Sequence, residues 1–489
     1  MKTLIGQFKS QHRLVLFIVI LFSAILRVVN LYSNLHFTGD EGRDALVAYG
    51  IITGENYPIL GPGSSIGDIN LGPLYYYLIA PFSLLGQNPV YLALPVIIFS
   101  VATSILLYFF CKLVFKDRLL GFVAAVIYAV SPGAVEYGRW SWNPNIMPFF
   151  SLLFTIAIWQ ILFSRKPKWL LVMALSFSVM IQSHYVALVV LLPVFYLLYR
   201  ERKAISIKKY SLWFGLSVLL GAVFLSPLVI YDVSRGFRNV KGFIGLFSSG
   251  GGNLTQVPVQ FLFSMGEVYS SFFGILVIFG LIISLFCLLF AYKNMKRREF
   301  MFITTWLLGS ILGISFVGYE LKTHYYEFLW PVITVFIATA LLSAVRKKQI
   351  ISGIFAITLF CFMAARTISI VTIAQEPTLS GIKTLVSFIE EDSKGSPFNF
   401  AVLSDINRED SYLFFFTLDD TAVETARSTD QLYVICEGDA VCNPHGHPKY
   451  EIAVFDVAYN GQVEISETWY FGDYYKLLKI TPKLTNNAE

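Results

Sequence analysis

The residues best suited to chemistry form a short acidic cluster near the start of the chain. The segment from His36 to Asp44 reads His-Phe-Thr-Gly-Asp-Glu-Gly-Arg-Asp. It places two adjacent carboxylates, Asp40 and Glu41, beside Arg43. In such a group a carboxylate can accept a proton from a substrate, and the arginine can bind a substrate anion. A charge cluster that is merely solvated at a membrane surface has the same composition, so the acidic pair in isolation leaves both interpretations open.

Three outer loops and one helix break carry further residues that could contact a ligand. The candidates are Tyr75 and Tyr76 in Pro-Leu-Tyr-Tyr, Glu136 and Arg139 in Glu-Tyr-Gly-Arg, His184 in Gln-Ser-His, and Lys322, His324 and Tyr325 in Lys-Thr-His-Tyr-Tyr. Each has a simpler explanation, because aromatic side chains gather at membrane interfaces and an acid three residues before an arginine can pair with it on one helix face. Taken singly, these signals are modest.

The elements that must position these residues are membrane helices. Of the 489 residues, 56% are apolar and 14% are charged, against about a quarter charged in soluble globular proteins. This composition excludes an ordinary soluble protein, a disordered chain and a coiled coil. Apolar runs that suit the roughly 30 Å of membrane hydrocarbon predict eleven spans, at about residues 14–31, 90–111, 119–131, 146–163, 169–182, 185–199, 212–231, 272–292, 300–317, 328–345 and 350–373.

The charge distribution predicts how these spans are oriented. Residues 1–374 carry 29 Lys/Arg and 13 Asp/Glu, whereas residues 375–489 carry 8 and 19. In the membrane part, 21 basic residues fall on every second connection and six on the alternate ones. By the positive-inside rule, the N-terminus is cytoplasmic and the acidic tail is extracytoplasmic in a multi-pass cell-membrane protein. No basic run is interleaved with aromatic residues on a polar background, so no nucleic acid partner is expected.

One apolar stretch, residues 169–199, fits either one tilted helix or two short ones. A single crossing would put the basic loops on its two sides on opposite faces of the membrane. The charge pattern therefore favours two short helices broken at Gln182, Ser183 and His184, with His184 at the outer end. Interrupted helices of this kind are tolerated where the irregular backbone lines a cavity.

The predicted architecture is an α-helical polytopic membrane protein with a small C-terminal α/β domain. The membrane domain comprises residues 1–374, with outer loops 32–89, 132–145 and 232–271, and the extracytoplasmic domain comprises residues 375–489. In the latter we predict a helix over 379–391 and strands over 398–403, 431–435, 452–456, 463–465 and 476–480. We also expect a disulfide between Cys436 and Cys442, because both would lie in an oxidising compartment.

Together the motifs resemble the polyprenyl-phosphate-sugar-dependent membrane glycosyltransferases of GT-C fold, a family that includes protein O-mannosyltransferases and lipid A aminoarabinose transferases. The resemblance covers about residues 10–345. It rests on Asp-Glu-x-Arg outside the first span, Pro-Leu-Tyr-Tyr before the second, Ser-Pro followed by an acid and an arginine after the third, and His-Tyr-Tyr before a late span. The chain departs from several relatives in having Leu71-Gly72 where they have a lysine before Pro-Pro-Leu, and His184 where they often have a lysine.

The resemblance implies transfer of a hexosyl or pentosyl unit from a polyprenyl-phosphate donor to a hydroxyl group of a protein, lipid or glycan acceptor. It also implies an inverting single displacement at the outer face of the lipid bilayer. Because the lipid phosphate is already a good leaving group, the reaction needs a general base and cations to hold the phosphate. The family's catalytic carboxylate carries over to Asp40, with Glu41 beside it and Arg43 as the arginine of the motif. The substrate or phosphate contacts would come from Glu136, Arg139, His184, Lys322 and His324, with Tyr75, Tyr76 and Tyr325 against the sugar or isoprenoid.

No cofactor is expected, and two other functions compete with this one. A divalent ion shared by Asp40, Glu41 and Glu136 is the alternative to metal independence, but a base must stay unligated to act. A transporter or flippase of lipid-linked sugars predicts ionisable residues deep in the spans. Only Arg27 and Arg366 lie there, and Arg27 is close enough to a span end to snorkel. A scaffold or receptor with a ligand-binding outer domain would leave the acidic pair unexplained.

Overall fold

Each of the eleven predicted spans contains an α-helix in the structure, a computed structural model that describes residues 2–64, 69–249, 255–317, 321–346 and 350–483. Within these described ranges, five helical segments are long and apolar enough to cross a membrane, and the bent pair Arg118–Val130 and Pro132–Arg139 would make a sixth. The helices over the predicted spans are Lys2–Val28, Val90–Val114, Arg118–Val130, Met147–Leu162, Trp169–Ser183, Leu191–Glu201, Ile207–Ser234, Val277–Asn294, Arg297–Ser315, Trp330–Arg346 and Ile350–Thr372.

The chain divides into two compact units. The large unit comprises Met1–Val29, Tyr57–Ile79 and Ala93–Thr372, and the tail unit comprises Asn30–Asn56, Ala80–Leu92 and Ile373–Glu489. The C-terminal segment of the tail unit begins at Ile373, and the division into a membrane domain and an extracytoplasmic domain after residue 374 stays a prediction. The tail unit additionally includes two segments from the first 92 residues, one of which carries Asp40.

The predicted break in the helix before His184 is present. The helix Trp169–Ser183 ends there, His184 has an extended backbone, and the 3-10 segment Tyr185–Val190 leads into the next helix. Asn143 donates a side-chain hydrogen bond to the carbonyl of Ser183. This bond satisfies one of the backbone acceptors that a helix C-terminus leaves free. A contact within the large unit therefore stabilises the helix break.

The helix Val257–Phe273 of the large unit lies largely outside the predicted spans. Its buried side includes Tyr269 and Phe272. Gly266 lies so close to Gly280 of the neighbouring helix that a Cβ atom at Gly280 would stand 2.2 Å from the Gly266 carbonyl oxygen. Small residues at such crossings let two membrane helices pack backbone to backbone.

The prediction that Arg27 snorkels to the interface is wrong. Its side chain is fully buried. Its guanidinium donates to the hydroxyls of Ser23 and Ser100 and to the backbone carbonyls of Ser23, Ala129 and Ala134. The last two carbonyls flank the 68° bend of the bent helix pair. Arg27 therefore supplies the donors that this bend needs in apolar surroundings, where unpaired backbone groups are costly.

A four-stranded mixed sheet forms the centre of the tail unit. Strands β1 and β2 are parallel and buried along their whole lengths, as is typical of strands covered on both faces. The strands are β1 (Asn399–Leu403), β2 (Leu432–Glu437), β3 (Val463–Phe471) and β4 (Tyr475–Pro482), in the order β1-β2-β4-β3. The accompanying helices are Leu379–Ser393, Asp410–Leu418 and Tyr450–Ala458. The structure therefore confirms the small α/β fold.

The strand predicted at residues 452–456 is wrong, because these residues lie within the helix Tyr450–Ala458. Ile452 and Phe455 are buried, whereas Val454 and Val457 are exposed. Burial three residues apart is the period of a helix and not the alternation of a half-buried strand. The apolar residues alone had suggested the strand.

The predicted disulfide is present in the tail unit. Cys436 and Cys442 are bonded, with their Cα atoms 5.6 Å apart. Among the described residues, Cys111 and Cys287 are buried free thiols and Cys361 is an exposed one. The bond closes a short loop after strand β2.

Candidate active site

Asp40 lies in the first turn of the helix Gly39–Thr53, which we call the acidic helix. Thr38 is its N-cap residue, and a capping box joins Thr38 to Glu41. One carboxylate oxygen of Glu41 accepts hydrogen bonds from the backbone N–H of Thr38, at 2.8 Å, and from its hydroxyl group. Thr-x-x-Glu before an apolar run is the sequence signature of this cap. The local sequence therefore determines where the helix that carries Asp40 begins.

Glu41 caps the N-terminus of this helix and is buried. Its side chain is buried, with the whole residue 2% exposed, and its Oε1 atom has no hydrogen-bond partner among the described residues. Burial raises the pKa of this carboxyl to about 8. A carboxyl that is largely protonated at pH 7 is a poor general base. The geometry thus favours a positioning role for Glu41 beside the predicted base.

Asp40 presents one fixed and one open carboxylate oxygen. Its Oδ1 accepts hydrogen bonds from Arg43 Nη1, at 2.8 Å, and from Arg408 Nη2, at 2.7 Å. Its side chain is 33% exposed, and no described residue hydrogen-bonds to Oδ2. Charge-assisted bonds to Oδ1 orient the group. The second oxygen remains available to accept a proton.

Arg43 connects Asp40 to a buried acid, Asp44. The Nε and Nη2 atoms of Arg43 donate to Asp44 Oδ1 at 3.0 and 2.7 Å. Burial raises the pKa of the Asp44 carboxyl to about 7, although the charge of Arg43 opposes the shift. The predicted anion contact Arg43 therefore has carboxylates as its partners in this structure, and Asp44 sets the direction of its guanidinium.

In the large unit, predicted site residues from separate segments come together in a group of rings. His324 lies 4.5 Å from Trp142 and 5.2 Å from His184, measured between ring centroids, and His184 lies 4.7 Å from Tyr325. Trp140 stacks on Trp142 at 4.7 Å. We call these five side chains the aromatic cluster. It joins the loop after Arg139, the helix break and the last outer loop.

Burial keeps the two histidines of the aromatic cluster neutral. It lowers the pKa of His184 to about 4 and that of His324 to about 3. Nδ1 of His184 accepts a hydrogen bond from the backbone N–H of Val186 at 3.1 Å, which assigns the proton to Nε2. The two predicted cations are therefore neutral donors at pH 7, and an anion would meet their N–H groups rather than a charge.

The predicted tyrosine contacts Tyr75 and Tyr76 are buried. The hydroxyl group of Tyr75 shares a hydrogen bond of 3.0 Å with Ser141, which lies between the two tryptophans of the aromatic cluster. Tyr75 thus supports that loop. Lys322 is exposed at the start of the last outer loop, so it is an accessible cation near the histidines.

Arg139 is a buried cation with free donors. The residue is 4% exposed, and its Nη2 donates to the carbonyl of Val29 at 2.7 Å. Its Nε and Nη1 atoms have no partner among the described residues. The simpler pairing with Glu136 does not form there, and the cation that interacts with Glu136 is Arg366. Buried donors without acceptors are costly, and a bound anion would satisfy them.

The structure shows two further charged residues that the sequence analysis did not select. Arg408 lies 368 positions after Asp40, and no motif connects the two. Glu327 is buried, and both of its carboxylate oxygens lack partners among the described residues. An acid directly before a predicted span was the signal that could have found Glu327.

The described part of the chain contains no group of three or more His, Cys, Asp or Glu side chains placed to hold a metal ion. The ligands considered for a shared divalent ion were Asp40, Glu41 and Glu136. Asp40 is instead bonded to two arginines, and Glu41 to the N-cap residue.

Comparison with known proteins identifies the fold. Residues 70–231 match the dolichyl-phosphate-mannose-protein mannosyltransferase family. The structure of ArnT from Cupriavidus metallidurans bound to undecaprenyl phosphate is similar over 96% of this chain and 98% of that one, with a TM-score of 0.57 and 11% identity. The predicted resemblance is confirmed. The chain has the GT-C fold of these glycosyltransferases.

Two further structures are similar to this GT-C chain. ArnT from Cupriavidus metallidurans in the apo state matches over 98% of both chains, with a TM-score of 0.54 and 10% identity. The oligosaccharyltransferase of Archaeoglobus fulgidus matches over 86% of this chain and 68% of its own, with a TM-score of 0.50 and 13% identity. No curated protein sequence matches the chain. The family match begins after Asp40, so it covers Tyr75, Arg139 and His184 but not the acidic helix.

Proposed function

We propose that this protein is an integral-membrane glycosyltransferase that uses a polyprenyl-phosphate-linked monosaccharide as donor. The acceptor is a hydroxyl group, Asp40 is the general base, and transfer takes place at the extracytoplasmic face. The GT-C fold, the mannosyltransferase family match and the undecaprenyl phosphate bound to the similar ArnT support the donor class. The observation that carries the proposal is the carboxylate of Asp40, with Oδ1 fixed by arginines and Oδ2 open.

In the proposed reaction, the acceptor oxygen attacks the anomeric carbon while Oδ2 of Asp40 takes its proton. The bond between that carbon and the phosphate oxygen breaks, and the phosphate leaves with the bonding electron pair. No acid is needed, because the leaving phosphate is stable as an anion. General-base assistance of this kind is worth about 10²- to 10⁴-fold in rate.

The proposed phosphate contact is Arg139, whose two free buried donors match an oxyanion. Guanidinium groups bind phosphate through parallel hydrogen bonds. His184 and His324 would add neutral N–H donors, and Lys322 an exposed positive charge. Tyr325, in ring contact with His184, is the aromatic surface that we assign to the sugar or the isoprenoid.

The proposed orientation places the N-terminus in the cytoplasm and the tail outside. The alternation of basic connections supports it. The disulfide between Cys436 and Cys442 also supports it, because such bonds persist in oxidising compartments and are rare in the cytosol.

Transport of a lipid-linked sugar is the competing function, and the buried, unpartnered Glu327 is the observation in its favour. Ionisable groups inside membrane segments often mark transport pathways. Arg27 gives no such support, because its guanidinium nitrogens all donate to hydroxyl or carbonyl groups of the large unit, two of them at the bend. The experiment below separates the two functions.

The test incubates membranes that contain the protein with radiolabelled undecaprenyl-phosphate monosaccharides, mannose and arabinose among them. We expect transfer of label to an acceptor, and we expect Asp40→Asn to fold normally and lose about 100-fold or more of the activity. Glu55→Gln, which changes an exposed acid just after the acidic helix, is the matched control. Parental activity in Asp40→Asn would exclude Asp40 as the base, and movement of the donor across the membrane without transfer would identify a transporter.

A further inference from the structure

The tail unit brings a second arginine to the predicted base. We infer that Arg408 is a positioning residue for Asp40, so that sugar transfer depends on a side chain from the C-terminal part of the chain. This inference rests on the proposed function and adds a residue and a role for the tail to it. The argument comes from the bonds to Asp40, from the loop that carries Arg408 and from two glycines of the acidic helix.

The bonds at Asp40 explain why Arg43 alone does not fix the base. Arg43 gives two of its nitrogens to Asp44 and one to Asp40. The bond from Arg408 meets the same Oδ1 atom at 2.7 Å from the other part of the tail unit. Two donors on one oxygen restrict the rotation of the carboxylate, while no described residue hydrogen-bonds to Oδ2. Orientation of a catalytic group to within a fraction of an ångström is worth a large part of its effect.

The segment Ser404–Ser411, which we call the arginine loop, is braced by buried polar groups. Asn407 accepts hydrogen bonds from the backbone N–H of Arg408, at 2.8 Å, and from the hydroxyl of Ser411, at 3.0 Å. The amide of Asn407 donates to Glu437 at the end of strand β2, at 2.7 Å. Asn407 and Glu437 are buried. Buried polar networks of this kind specify one conformation, so the loop presents Arg408 in a defined place.

A neighbouring ion pair fixes the same loop to the sheet. Glu409 pairs with Lys449 at 2.7 Å and accepts a hydrogen bond from the backbone N–H of Val402 in strand β1, at 2.9 Å. Lys449 also donates to the carbonyl of Val402. The residue next to Arg408 is thus attached to the sheet, whereas the side chain of Arg408 itself is 61% exposed. The hydrogen bonds that hold the loop do not use the side chain of Arg408. This side chain is therefore free to contact Asp40 on the acidic helix.

Two glycines of the acidic helix make room for the arginine loop. A Cβ atom at Gly39 would lie 2.7 Å from Cβ of Arg408, and one at Gly42 would lie 2.4 Å from the carbonyl oxygen of Asp410. Real Cβ atoms do not approach other atoms so closely. In the pattern Gly-Asp-Glu-Gly of residues 39–42, the two glycines are therefore the positions at which the arginine loop contacts the acidic helix. The two carboxylates lie between them.

The alternative to a positioning role is that Arg408 and Asp40 form an ordinary surface salt bridge. Exposed pairs of that kind contribute only about 0–1 kcal/mol to the free energy of unfolding. Arg427 provides a matched comparison on the same unit. It is 85% exposed and pairs with Glu424 at 3.1 Å, but neither partner belongs to the proposed site. If Arg408 were an ordinary surface pair, removing it would have the same effect as removing Arg427.

The test measures steady-state transfer by the full chain for Arg408→Ala, Arg408→Lys and Arg427→Ala. We expect Arg408→Ala to lower kcat about 10- to 100-fold while the KM for the donor changes by less than about twofold. Arg408→Lys should recover part of kcat, because it restores a cation at Asp40, and Arg427→Ala should match the parent. Thermal unfolding of each variant shows whether it is folded. Should Arg408→Ala prove unstable, Arg408→Gln replaces it.

Three results would overturn the inference. The first is equal kcat in Arg408→Ala and Arg427→Ala. The second is a rise in the donor KM at unchanged kcat, which would make Arg408 a substrate contact. The third is no recovery of kcat in Arg408→Lys. If one of these three results is found but Asp40→Asn abolishes transfer, the role of Arg408 is excluded and the proposed function is retained. If the parent transfers no sugar, both fail.

Discussion

Arg27 and Arg139 have opposite environments although both are buried. Each guanidinium nitrogen of Arg27 donates to a hydroxyl or carbonyl group of the large unit. Arg139 donates one hydrogen bond, to the carbonyl of Val29, and its Nε and Nη1 atoms have no partner among the described residues. The first arrangement is complete without a ligand, and the second is not. Burial alone would not have separated these two roles, because hydrogen-bond satisfaction is what distinguishes them.

We expect Arg139→Ala to weaken binding of undecaprenyl phosphate about tenfold or more, because a charged hydrogen bond to the phosphate is lost. The measurement is equilibrium binding to protein in lipid nanodiscs. Arg346→Ala is the control, since Arg346 is an exposed arginine whose partner is Asp117. Equal affinities of Arg139→Ala and the parent would remove Arg139 from the phosphate site.

At the level of elements, the contact between the acidic helix and the arginine loop depends on glycine. The helix Asp410–Leu418 begins with the last two residues of this loop. A side chain at position 42 would collide with the backbone of Asp410 and Ser411. Backbone cannot move aside as a flexible side chain does, so the two elements would have to separate.

We expect Gly42→Ala to lower the free energy of unfolding by about 1–3 kcal/mol, the usual cost of overpacking. Gly215→Ala is the control, because Gly215 lies in the helix Ile207–Ser234 with open space around its Cα. Alanine there should be neutral or stabilise by up to about 1 kcal/mol through helix propensity. Thermal unfolding of both variants in one detergent checks this, and equal shifts would show that the close approach at Gly42 is not restrictive.

Helices and strands could be predicted from the sequence more accurately than the side-chain contacts between them. Hydrophobic runs located the helices, and the charge pattern favoured the break at His184, because length and composition alone carry this information. The strand predicted around Ile452 failed, since a short apolar run has no clear period. The bond from Arg408 to Asp40 joins residues 368 positions apart, and such a pairing depends on the fold of the whole tail unit.

At the scale of the whole molecule, stability is linked to buried carboxyl groups in the tail unit. Burial raises the pKa of Glu41 from 4.5 to about 8 and that of Asp44 from 3.8 to about 7. The folded protein therefore holds protons that the unfolded chain releases at lower pH. By linkage, the contribution of these groups to the free energy of unfolding is full below about pH 4 and is lost as the pH rises towards 8.

We expect Glu41→Gln to flatten the fall of stability between about pH 4.5 and 8, because glutamine does not titrate and can still accept the hydrogen bonds of Thr38. Asp44 should leave a smaller slope of the same sign. Urea unfolding across this pH range, with Glu55→Gln as the control, measures the effect. The same slope in Glu41→Gln and the parent would contradict the raised pKa.

The tail unit is composed of segments distant in sequence, and this limits how such proteins can be recombined. Phe37 packs against Phe414 and Phe415, with ring centroids 6.0 and 5.8 Å apart, and the backbone N–H of Leu379 donates to the carbonyl of Leu35 at 2.9 Å. A chimera that replaced only the C-terminal part with that of a relative would leave Phe37 against a foreign surface. To transfer the tail unit intact between relatives, an engineer would have to transplant residues 30–56 and 80–92 together with the C-terminal part.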